Sequence, residues 1–271
     1  MRQLTGPLIC YRRGITIAEA VAKALAIIDR ILPAAGVSHV SVGPDRRYKK
    51  LDRGSLAKVL SSMVPTTIDF ALFRNTSAAR DEVEWTIHLQ ICDIDSRFAG
   101  GRVINLGFGE DLVRGSTDRI LSVSDALARE FAIESGHLHD LEDMSDQNQL
   151  GPHWFKVKGR PLKENMVKFS TVLQEEIVDV ERNPCHVHVW KAVDFTSAWT
   201  VYLGTEALKL VDITPAFELG VEVRQLGESL FRVTNFEDPF AFAEERNARQ
   251  LWNFRQRLRI DEIAHQFVRP F

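Results

Sequence analysis

Apolar residues recur at two periods along this chain, and the changes of period mark where helices give way to strands. Val21, Leu25, Ile28 and Leu32 repeat every three or four positions, the spacing of one face of an α-helix. Thr16 supplies an N-cap, Glu19 completes a capping box and Pro33 stops the run, so the pattern predicts a helix over 17–32. A short strand over 8–11 precedes it, and a second helix is predicted over 56–63 behind Ser55. Period two then takes over. Residues 67–73 read as a strand, and 82–92 is the clearest one: Trp85, Ile87, Leu89 and Ile91 share one face, and Glu84, Thr86, His88 and Gln90 the other. With a turn over 75–81 and a third strand over 102–108, the three form an antiparallel meander with one covered face.

Helical spacing returns at 123–134, with Ala126, Leu127 and Phe131 inward. Residues 151–160 read as loop or edge strand, and 172–180 as either helix or strand. A short alternating strand over 186–190 places His186, His188 and Trp190 on one face. A hairpin turns at Gly227-Glu228, and Asp238-Pro239 opens a long arginine-rich final helix. The order predicts an α+β fold, a mostly antiparallel sheet flanked by helices, with two pseudo-related halves left open. We expect one domain over 1–271, with a subdomain boundary near 145–160.

Composition adds little until it is localised. The chain has 271 residues, 45% hydrophobic and 26% charged, enough for a substantial core. No apolar run is long enough to span a bilayer, and the first residues lack the stretch of a secretion signal. Cys10, Cys92 and Cys185 are odd in number and far apart, which favours a reducing, cytoplasmic setting over a disulfide framework. A net charge of −3 argues against a dedicated nucleic-acid binder. That figure hides an uneven distribution. Residues 130–149 hold six carboxylates and no lysine or arginine.

A catalytic reading would rest on histidine. His186 and His188, two apart on a strand, can reach one metal, and His137 and His139 repeat the spacing in a polar loop beside Asp140. Neither pair has the helical spacing of a metalloprotease. Cys185 adjoins His186, but neighbours on a strand point to opposite faces. Gly107-Phe108-Gly109 lacks the lysine of a phosphate loop and reads as a strand exit. The expectation is therefore a protein that is not an enzyme and needs no cofactor or metal, with a metal-dependent enzyme built on His186 and His188 as the alternative.

A binding reading uses the carboxylates. Asp140, Glu142, Asp143 and Asp146 can face a basic partner, with Trp154 as an aromatic anchor inside an acidic rim. Their spacing does not match a helix–loop–helix calcium site. The basic cluster over 46–53 has only Tyr48 as an aromatic platform and reads as a solvated loop. A cytosolic structural or regulatory protein-binding module is a further alternative.

Trp199 followed by Thr200-Val201-Tyr202-Leu203-Gly204, then Leu219-Gly220-Val221-Glu222-Val223, Gly227-Glu228-Ser229-Leu230 and Thr234 before a terminal helix, resembles bacterial polymorphic-toxin immunity proteins, nearest to the immunity protein 52 family. The helix ending near Leu32, the Gly43-Pro44-Asp45-Arg46-Arg47 segment, Leu72-Phe73-Arg74-Asn75 and Asp93 extend the resemblance into the first half. Gly204 stands where that pattern has serine, the turn lacks its Trp-Asn-Gly, and residues 136–181 lie outside it. The resemblance implies stoichiometric inhibition of a cognate toxin, commonly a nuclease delivered by a contact-dependent or type VI secretion route. It also implies action in the cytoplasm of the producing cell, without a cofactor.

Overall fold

The computed structural model describes residues 2–33, 39–42, 49–50, 58, 67–73, 85–94, 100–162, 166–191 and 193–267. All of the predicted helix over 56–63 but residue 58, the turn over 75–81 and most of the basic 46–53 segment lie outside them.

The strands are β1 (Gln3–Tyr11), β2 (His39–Val42), β3 (Lys49–Lys50), β4 (Thr67–Phe73), β5 (Trp85–Ile94), β6 (Gly101–Gly109), β7 (Ser135–Asp140), β8 (Val167–Ser170), β9 (Glu175–Val178), β10 (His188–Trp190), β11 (Val193–Phe195), β12 (Thr200–Leu203), β13 (Glu222–Gly227) and β14 (Leu230–Thr234). Ten of them form one antiparallel sheet in the order β13-β14-β12-β7-β1-β6-β5-β4-β2-β3, while β8-β9 and β10-β11 are separate hairpins. The predicted α+β class is thus the observed one, and the meander β4-β5-β6 sits where the alternating pattern put it.

One sheet face carries the main core. Leu4, Leu8, Ile87, Leu89, Ile91, Ile104, Leu106, Phe108, Leu138 and Tyr202 pack beneath α1 (Ile17–Ile31) and α2 (Glu110–Glu130). α1 forms as its sequence dictates. The Thr16 side chain accepts from the Glu19 amide, Glu19 returns the bond to the Thr16 amide, and Val21, Leu25 and Ile28 are buried. Near its start, buried Arg102 spans from Asp93 to the carbonyls of Ile15 and Thr16. On the opposite face of the C-terminal half, Val201, Leu203 and Val233 meet Val193, Phe195, Phe254 and Leu258.

The structure departs from the sequence expectations in four places. α2 starts at Glu110, not near 123, and kinks at Ser116. Its first half holds Gly115, Ser116, Thr117 and Asp118, poor helix formers that mask the apolar spacing. His137 and His139 lie not in a loop but in β7, buried at all six positions. Residues Pro152–Val157 form a helical turn (α4, following α3 at Leu141–Gln147), with Pro152 at its first position. The last long helix begins only at Glu245. Asp238 does not cap it; its carboxylate accepts from the Phe240 amide and turns the chain around Pro239. After α5 (Thr205–Leu208), that helix is α6 (Glu245–Arg257), and Arg259 at φ 53° separates it from α7 (Ile260–Ala264). Among the described residues no helix is long and apolar enough to cross a membrane.

Candidate functional site

Three chemically capable side chains converge behind the sheet. His139 comes from β7, Asp143 from the first turn of α3, and Cys185 from the segment leading into β10. Their donor atoms all lie within 4.8 Å of one another, the one such group among the described residues. This corrects the expectation that no catalytic or metal-binding set assembles, and with it the reading of the chain as a protein without an enzyme's equipment.

Each member has a definite reason to be there. Asp140 ends β7 and caps α3 by accepting from the Asp143 amide at 2.9 Å. The helix therefore starts at once, and its first turn carries Asp143 back over His139. Cys185 is placed through its backbone: its amide donates to Gln147 Oε1 at 2.9 Å, and its carbonyl accepts from Asn148 Nδ2 at 3.1 Å and from Thr196 Oγ1 at 3.2 Å. From the other side, buried Arg255 of α6 donates to the carbonyls of Pro184 at 2.7 Å and His186 at 2.8 Å, while Asp261 holds its guanidinium. The segment is clamped between α3 and α6.

The ring of His139 decides what this cluster can do. Its Nε2 lies 2.5 Å from Asp143 Oδ2 and 3.6 Å from Cys185 Sγ, while Nδ1 accepts the Trp199 amide at 2.9 Å. A donor at Nδ1 puts the ring proton on Nε2. In a nucleophilic triad the thiol and the carboxylate face opposite ring nitrogens. Here they share one, so the convergence is of metal-ligand type. Ligands at about 2.0 Å (nitrogen) and 2.3 Å (sulfur) around tetrahedral zinc stand about 3.5 Å apart, close to the Sγ–Nε2 distance. A metal would displace the Nε2 proton, require Asp143 to withdraw from hydrogen-bonding distance, and cost Trp199 its acceptor. Cys185 and His139 are both fully buried. Two open grooves of about 670 and 700 Å³ lie elsewhere, and neither is lined by any of the three residues.

The residues singled out from sequence go to different fates. His186 and His188 do share a face, with ring centroids 4.5 Å apart. Their nitrogens nonetheless address different partners, His186 Nδ1 reaching Asn148 Oδ1 and His188 Nε2 reaching Asp261 Oδ1. Asp140 is fully buried and ion-paired with Arg2. Asp143 turns inward, Glu142 is largely exposed and pairs with Arg160, and Asp146 pairs with the same arginine. Trp154 is half-buried, its indole N–H directed at Asp146 and its ring beneath Lys158. The pairing of His139 with Cys185 spans 46 residues and left no local signal. The four-residue step from His139 to Asp143 was visible, but only a strand-to-helix junction makes it meaningful.

No protein-family model matches the chain, and no curated protein matches it. Among solved structures, the fold is similar to that of a chain titled Pseudomonas aeruginosa T6SS protein PA0821, with a TM-score of 0.59 at 11% sequence identity. The likeness covers 96% of this chain and 73% of that one, so it extends to the whole α+β architecture.

Proposed function

We propose that this chain serves a type VI secretion toxin system as an immunity-type protein, binding a cognate toxin one to one and occluding it in the cytoplasm of the producing cell. The observation that carries this reading is the fold likeness, over 96% of the chain, to a protein titled as a type VI secretion protein. The toxin class we favour is a nuclease, whose positively charged cleft suits an acidic inhibitor surface. Glu142 and Asp146, with Trp154 between α3 and β9, supply surface acids and an aromatic group near that rim, while Asp140 and Asp143 serve the interior. The test is to purify this chain with an inactive form of the toxin domain encoded beside its gene. A stable one-to-one complex, and growth protection when the active toxin is co-expressed, are expected. Absence of any adjacent toxin gene, or failure of the pair to associate, overturns the reading.

A second reading, metal-dependent chemistry, is favoured by the His139–Asp143–Cys185 convergence. Sulfur, imidazole and carboxylate together suit zinc. Metal analysis of untagged protein should then find about one equivalent of zinc, lost in Cys185→Ser. Metal-free protein after zinc incubation excludes it.

A further inference from the structure

The hairpin β8-β9 ends in a turn whose chemistry is inverted. Tight turns are ordinarily built from Gly, Asn, Asp, Ser and Pro, yet this one reads Thr171-Val172-Leu173-Gln174. It is nonetheless well made. The Gln174 amide donates to the Ser170 carbonyl at 2.8 Å, the Leu173 amide to Ser170 Oγ at 3.1 Å, and Gln174 takes the left-handed conformation at φ 57°. The result is a fixed tip that holds Val172 at 71% and Leu173 at 44% exposure, with Phe169 at 60% on the adjoining strand. Burying any of these would gain free energy, but nothing among the described residues covers them.

The charges around the tip identify what would. Phe169 stands directly opposite Glu176, and Ser170 opposite Glu175, so both exposed acids flank the apolar group. The one neighbouring cation of the hairpin, Lys168, is held by Asp179 at 2.6 Å. No ion pair is seen for Glu175 or Glu176 among the described residues. The protruding element is therefore convex, apolar at its end and negative at its sides. Its complement is a concave protein site with an apolar floor and a rim of lysine or arginine.

We infer that the 169–176 hairpin tip is the principal anchor for the toxin, inserting Val172 and Leu173 into a basic-rimmed cleft. The inference rests on the immunity reading above and names the element that carries it. A preformed tip loses little conformational entropy on docking, and apolar anchors inside a charged rim are where binding energy concentrates.

Val172→Ser/Leu173→Ser and Glu175→Lys/Glu176→Lys double variants test it against the inactive toxin domain, by calorimetry and stopped flow. Both alter exposed positions, so their circular dichroism and melting should match the parent. The serine pair should weaken binding about a hundredfold, mostly through faster dissociation. The lysine pair should slow association at least tenfold at low salt, and by much less at high salt. If the parent chain binds the toxin and the serine pair binds equally well, the hairpin assignment is wrong while the immunity reading stands. If the parent itself does not bind, the immunity reading fails and takes this one with it. If the parent is a dimer that the serine pair converts to monomer, the tip's occupant is a second copy of this chain, and the toxin assignment is overturned.

Discussion

Asp125→Asn will lower the thermal midpoint by roughly 6–12 °C, equivalent to about 3 kcal/mol for a chain of this size. Asp125 of α2 is almost fully buried and receives Arg232 Nη1 from β14 at 2.7 Å and the Tyr202 hydroxyl from β12 at 3.1 Å. Tyr202 and Arg232 are direct cross-strand partners and are themselves buried, so the carboxylate ties the helix layer to two adjacent strands. Burial first, and then the Asp125 charge, push the Tyr202 pKa well above the ordinary tyrosine value, so the hydroxyl stays a donor. The amide keeps the shape and can still accept from Tyr202, but it leaves the guanidinium without its buried counter-charge. Glu222, 2.7 Å from Nη2, compensates only in part because it is half exposed. Removing the stranded cation as well, in Asp125→Asn/Arg232→Met, should recover part of the loss and give a coupling energy above about 1 kcal/mol. A single-variant loss below about 1 kcal/mol in urea unfolding would show that the pair contributes no net stability.

Gly6→Ala is the second large effect, and its cause is steric. A methyl group on Gly6 would stand 1.8 Å from the His137 carbonyl oxygen, a backbone atom of the neighbouring strand. From the other side, a methyl on Gly136 would meet the Pro7 carbonyl at 2.7 Å. β1 and β7 thus approach through positions where only glycine fits. With alanine at position 6, β7 must retreat by more than an ångström, taking His139 with it. We expect a loss of about 3 kcal/mol or more. Gly115→Ala, which meets nothing within 4 Å, should be tolerated within about 1 kcal/mol. Equal stability of the two variants would refute the close-approach account.

Those two sites also mark what sequence could and could not foretell. α1 and β5 were legible because their side chains segregate, Val21, Leu25 and Ile28 and then Ile87, Leu89 and Ile91 to the core and the polar positions between them outward. β7 was not, because Ser135-Gly136-His137-Leu138-His139-Asp140 is buried on both faces with polar side chains whose partners lie on distant elements. Burial there is maintained by specific bonds, such as Trp199 to His139 and Asp194 to Ser135, which have no periodicity to read. The same limit hid the cluster. The histidines were visible as ligand types, but the partner of Cys185 turned out to be His139, set by Gln147, Asn148 and Arg255 rather than by adjacency. The acidic segment misled in the opposite sense: it looked like one surface, yet Asp140 serves as a buried cap and Asp143 as an interior acceptor.

The order of strands across the sheet bears on how the chain can be cut. β7 joins β1 on one side and β12 on the other, and its pairing with β12 runs from Ser135↔Leu203 to Leu138↔Thr200. A break between 145 and 160 leaves an N-terminal fragment in which β7 keeps β1 but opens its other edge, and a C-terminal fragment in which β12 keeps β14 but loses β7. Each open edge is the template for the other. The two pieces are therefore built to reassemble when made together, as halves of a split protein, and to aggregate when made apart.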